Sequence, residues 1–161
     1  MTDPKPMYEL SIERHIGASP ETVWKVMTER TAEWWCPKPW TTEIVELDWR
    51  AGGRAAMIMH GPDGETSPIE SIVLEVVPNT RFIFTDALSR GWVPQKAFIV
   101  GLFELTPEDE GTHYRASARH WDEESMKRHE EMGFTNGWAA VADQLAELAE
   151  ASHAKADDPL S

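Results

Sequence analysis

The stretch that most limits what this chain can fold into is "HEEMGFTNGWAAVADQLAELAE", residues 129–150. Phe134, Trp138, Val141, Leu145 and Leu148 step by 4, 3, 4 and 3, which is one face of a helix. Upstream, between residues 41 and 121, the apolar residues come in short runs broken by turn residues. Consecutive hairpins make an antiparallel sheet, and its apolar face needs a cover. Only the C-terminal helix, spanning about 122–150, is long enough to supply one. The same helix carries Gly133 and Gly137, four residues apart, within its apolar stripe. A helix-interior Gly costs about 1 kcal/mol against Ala. Two readings stay open on spacing alone. "GFTNG" is a helix break with Asn136–Gly137 as a turn pair, or the missing side chains leave room for a ligand between helix and sheet.

The rest of the chain fits one domain of 161 residues. Residues 1–6 read as a flexible tail, 7–150 as the domain and 151–161 as a second flexible tail. In the first strand, within 7–19, Leu10, Ile12 and Arg14 fall on one face and Ser11, Glu13 and His15 on the other. A helix starts at "SPETVWKVMT", with Ser19 as N-cap and Pro20 at the first helical position. "TERTAEWWCPKPW" is a short helix or turn stopped by Pro37 and Pro39. Six strands follow in hairpins, over 41–49, 53–61, 69–79, 81–88, 96–106 and 112–121. Gly52 and Gly53 are expected to supply the positive φ of the first hairpin turn. "SRGWVP" is read as a loop.

The net charge of −13 disfavours phosphate backbones and anionic membrane surfaces, so neither nucleic acid nor a membrane is an expected partner. No window approaches 18 apolar residues. The one cysteine, Cys36, can form no intrachain disulfide, and a cytoplasmic location is expected.

The pieces "ASPETVWKVMTE", "WWCP", Gly52–Gly53, "LEVVPNTRFIFT", "FELTPEDEGTHYRAS" and "GWAAVADQLAELAE" occur in one order over roughly residues 8–150. In that order they resemble the START-like superfamily, also called SRPBCC or Bet v 1-like. The branch they resemble most is the one named after the ATPase activator of the Hsp90 chaperone. The resemblance implies an α+β helix-grip fold: a curved seven-stranded antiparallel sheet round a long C-terminal helix, with two short helices after strand 1 and a hydrophobic tunnel between. It favours the cavity reading of the two glycines. The superfamily has no universal catalytic motif, so no catalytic residue is carried over.

The leading expectation is a binder of a small, largely hydrophobic molecule, aromatic or lipid-like, in that tunnel. Candidate lining residues are Trp35, Trp40, Met57, Phe84, Trp92, Phe98, Gly133, Phe134, Gly137 and Trp138. The aromatic set is unusual in that 8 of its 15 members are Trp, a residue suited to pocket walls. His60, Asp86 and Arg119 are candidate polar groups in the pocket. His120 and His129 flank the start of the long helix, near Asp122, but no zinc-type spacing accompanies them, and neither metal nor cofactor is expected. Two alternatives remain: an enzyme of polyketide cyclase or hydrolase type using the same pocket, and a chaperone-activating interaction module. With no catalytic motif, the balance lies against an enzyme. Self-association as a homodimer, through a sheet edge or a Trp patch, stays open.

Overall fold

Strand β1 (Glu9–Ile16) is the first element in the described part of the chain, residues 7–156, in a computed structural model. Its residues alternate as the sequence predicts: Leu10, Ile12, Arg14 and Ile16 are turned toward the interior, while Ser11, Glu13 and His15 are exposed. Helix α1 (Pro20–Glu29) follows, with the Ser19 hydroxyl accepting from the Thr22 N–H at 3.2 Å. Ser19→Ala is expected to lower stability by about 1 kcal/mol, read as a shift in the urea midpoint. A one-turn helix α2 (Thr31–Trp34) then buries Trp34 completely, and its indole N–H donates to the Met27 carbonyl at 3.2 Å.

The sheet strands are β2 (Thr41–Leu47), β3 (Arg54–His60), β4 (Thr66–Val77) and β5 (Arg81–Thr85). A two-stranded ribbon, β6 (Leu88–Ser89) with β7 (Val93–Pro94), occupies the segment read as a plain loop. Two long strands, β8 (Val100–Glu108) and β9 (Gly111–Arg119), complete the sheet. The seven main strands run in the order β1-β9-β8-β5-β4-β3-β2, every pair antiparallel. One turn departs from expectation. Gly52 has φ +82°, but Gly53 is not in the left-handed region. Gly53 is needed for space instead, since a Cβ there would lie 2.1 Å from the Asp48 carbonyl oxygen.

The expected single helix is two: α3 (Glu123–Glu131) and α4 (Phe134–Ala156). α4 extends six residues past the predicted boundary at Glu150, so part of the presumed tail is helical. Residues 1–6 and the last five positions lie outside the described residues. α4 packs on β1, α1 and α2. Its buried face includes Ala142, Ala146 and Ala149, each at most 1% exposed, around Leu145. Alanines there let the α4 backbone approach its neighbours closely, so the packed face is turned from the one the larger residues suggested. The core joins this face to Ile16, Val23, Met27, Trp34, Phe82, Phe103 and Tyr114.

Candidate functional site

A cavity of about 380 Å³ lies between the sheet and the N-terminal half of α4. The sheet contributes Met59, Ile69, Phe84, Phe103 and Tyr114, residues that alternate onto the inner face of their strands. Asp86, just after β5, and Phe98 and Ile99, in the segment leading into β8, add to the lining. Trp35, Cys36 and Pro37, in the turn after α2, close one side. His129 from α3, then Met132, Gly133, Phe134, Gly137, Trp138 and Val141, form the helical wall.

The helix does break, but at Gly133 and not at Asn136–Gly137, and there is space beside Gly137. Gly133 has φ +93° and separates α3 from α4, which is the helix break. Gly137 is inside α4 and is missing a side chain where the cavity begins. A Cβ on Gly133 would meet nothing within 4 Å, and one on Gly137 only the Pro37 ring at 3.8 Å. The aromatic wall is held by mutual contacts. Trp138 stacks on Phe103 at 5.7 Å with a 9° interplanar angle, and Trp35 meets Phe84 edge-on at 5.8 Å. Gln144 of α4 ties the "WWCP" turn to the helix. Its amide donates to the carbonyls of Trp34 and Cys36, at 3.1 and 3.0 Å, and its oxygen accepts from the Lys38 N–H at 3.0 Å.

Seven of the ten proposed lining residues meet at this cavity: Trp35, Phe84, Phe98, Gly133, Phe134, Gly137 and Trp138. Three lie elsewhere. Trp40 packs its ring beside Gly61, within 3.0 Å of where a Cβ would stand. Met57 faces inward, but toward Trp49 and Phe82, bordering a separate void of about 20 Å³. Trp92 sits in the β6–β7 turn, 62% exposed, with its ring over Gly52. Of the polar candidates only Asp86 lines the cavity. One of its oxygens accepts the N–H groups of Phe98 and Ile99, at 2.8 and 3.2 Å, which fixes the return of that segment. His60 and Arg119 fall on the opposite strand face by the two-residue period. There His60 pairs with Glu43 at 2.8 Å and Arg119 with Glu9 at 2.8 Å.

Two polar residues missed from sequence turn out to lie on the wall. Tyr114 is fully buried, and its hydroxyl has no hydrogen-bond partner. His129 is wedged among Phe98, Phe134 and Trp138, with ring centroids at 5.0, 5.0 and 6.0 Å. Its Nδ1 lies 2.9 Å from Nε2 of His120, whose own Nδ1 lies 2.9 Å from the Tyr8 carbonyl oxygen. No spacing in the sequence marks His129 as a wall residue, since the break at Gly133 separates it from the α4 face. Burial, and secondarily the neighbouring His120, push the His129 pKa down to about 4. Between pH ~6.5 and ~4 the unfolded chain therefore takes a proton at this site that the folded chain refuses. Stability is expected to fall as pH drops through that window and to level off, for this group, below it. The loss is about 1–2 kcal/mol once solvent screening is allowed for. Comparing His129→Gln with the wild type in urea at pH 7 and pH 4.5 isolates this contribution.

Cys36 is not set up as a nucleophile. Burial pushes its thiol pKa up, against a lowering contact with the Thr42 hydroxyl at 3.1 Å. Among the described residues no group of three or more His, Cys, Asp or Glu side chains converges as a metal ion would require. No helix among them is long and apolar enough to cross a membrane.

Residues 17–150 match the family described as Activator of Hsp90 ATPase homolog 1-like protein. The chain belongs to that family. Among solved structures, a Nitrosomonas europaea protein is 34% identical, with a TM-score of 0.85 over 91% of this chain and 97% of that one. A Mycobacterium smegmatis protein shares the fold at 23% identity and TM-score 0.78, covering 94% and 99% of the two chains. A Silicibacter pomeroyi protein whose title names the same family shares it at 21% identity and TM-score 0.68, covering 90% and 99%. No curated protein matches the chain. Membership in this Hsp90-activator-like family agrees with the helix-grip order of strands and the covering helix found here.

Proposed function

We propose that this Hsp90-activator-like domain holds one small, largely apolar molecule, with an aromatic ring system, between its sheet and α4. The observation that carries this reading is the 380 Å³ cavity whose helical wall is opened by Gly137. The volume is in the range of small-molecule sites, about 300–1,000 Å³. An apolar cavity of about 150 Å³ can take up benzene, so two fused rings have room here. Transfer of the ligand from water would contribute roughly 25 cal/mol for each Å² of apolar surface buried. Aromatic walls such as Trp138, Phe103 and Phe84 would add edge and stacking contacts to a ring. The lone buried thiol suits work in a reducing cytoplasm.

The experiment is to purify the protein under native conditions, extract it with organic solvent and identify the extract by mass spectrometry. In parallel, a fluorescent apolar probe is titrated while Trp emission is followed. The reading requires a saturable response at one site, and a molecule recovered in the extract would give its chemical class. A linear, non-saturating response from a protein that yields no extractable molecule would mean that the wall is packed shut.

A further inference from the structure

We infer that the cavity selects ring compounds bearing a hydroxyl group that donates a hydrogen bond, with Nε2 of His129 as acceptor and the Tyr114 hydroxyl as second polar contact. This rests on the apolar-ligand reading above and narrows it. Nearly all buried polar groups in folded proteins have a partner, and each exception calls for an explanation. Tyr114 is 0% exposed, lines the cavity and has an unpartnered hydroxyl. A ligand oxygen that reached this hydroxyl would satisfy it.

His129 supplies the direction of the first contact. The Tyr8 carbonyl oxygen accepts from the His120 backbone N–H at 2.9 Å and faces Nδ1 of the same ring at 2.9 Å. A carbonyl oxygen cannot donate, so His120 Nδ1 carries a hydrogen. With both rings neutral, His120 Nε2 is then a lone pair. The 2.9 Å contact requires Nδ1 of His129 to donate to it. That leaves Nε2 of His129 as a lone pair on a ring that lines the cavity, with no partner among the described residues. With both rings neutral, the hydrogen-bond network fixes the tautomer. Such an atom accepts a hydrogen bond and cannot give one. A phenol or enol O–H fits it; an ether, or a ketone without its enol, does not.

Three probes of one shape test this: naphthalene, 2-naphthol and 2-methoxynaphthalene. A purely apolar cavity would favour naphthalene, because a hydroxyl costs free energy to desolvate. The inference requires the reverse, with 2-naphthol about tenfold tighter than naphthalene. 2-Methoxynaphthalene, which can accept from Tyr114 but cannot donate to His129, should bind less tightly than 2-naphthol. His129→Phe keeps a ring and removes the lone pair, so the tenfold preference for 2-naphthol over naphthalene should be lost. Tyr114→Phe should weaken 2-naphthol and leave the unliganded protein as stable as wild type or more so, because the atom removed has no partner. If naphthalene binds but 2-naphthol binds no more tightly, this inference is wrong and the apolar cavity stands. It is equally wrong if the preference survives in both variants. If none of the three binds, the apolar-ligand reading fails and takes this inference with it.

Discussion

Gly137→Leu should fold better than the wild type and lose its ligand. Gly137 lies in α4, where Gly costs about 1 kcal/mol against a good helix former such as Leu. The new Cβ would meet only Pro37, at 3.8 Å, so the backbone is not strained. A gain of about 1 kcal/mol corresponds to roughly 2–4 °C in Tm for a chain this long. The rest of the Leu side chain has only the cavity to enter, where it would lie beside Trp138 and Phe134. Affinity for an apolar probe should fall at least tenfold, about 1.4 kcal/mol or more. Higher Tm with lost binding is a pairing that general destabilisation cannot produce. A variant that is stabilised and still binds as wild type would place the ligand elsewhere.

Trp34→Ala should be the most damaging single truncation. Trp34 is 0% exposed and meets Trp35 and Phe103 edge-on, with centroids at 5.4 and 6.0 Å. Removing a buried Trp costs about 3–5 kcal/mol, from lost transfer energy and the hole it leaves. The hydrogen bond to Met27 is a smaller part, because the Thr31 hydroxyl also donates to that carbonyl, at 2.7 Å. Against a total stability of about 5–15 kcal/mol, this loss is large. Urea unfolding measures it, with Trp92→Ala as the control. Trp92 is 62% exposed, and its truncation should stay within about 0.5 kcal/mol.

The seven strands and the covering helix were legible because hairpin turns and apolar periods are local signals. Ser19 and Pro20 marked the start of α1 for the same reason. The orientation of α4 was not, because small residues carry little weight in a hydrophobic pattern. Ala142, Ala146 and Ala149 are buried because they are small enough to admit a neighbouring backbone. His60 and Arg119 were misplaced although the two-residue period already put them on the outer face, where Glu43 and Glu9 partner them. The wall residues Trp35, Phe84 and Phe134 could be chosen from type and position. Tyr114 and His129 could not, because what marks them is an absence: a hydroxyl with no partner and a nitrogen with no donor. Such vacancies arise only when β9, α3 and the backbone at Tyr8, just before β1, are brought together.

The central claim, that the space beside Gly137 takes an apolar ligand, is tested most directly by amide NMR during a naphthalene titration. The Gly133 and Gly137 amide signals and the Trp138 indole signal should shift together and saturate at one equivalent. Gly64, in the exposed β3–β4 turn, should not move. Shifts that never saturate, or that are confined to Trp92 and Gly52, would contradict the claim.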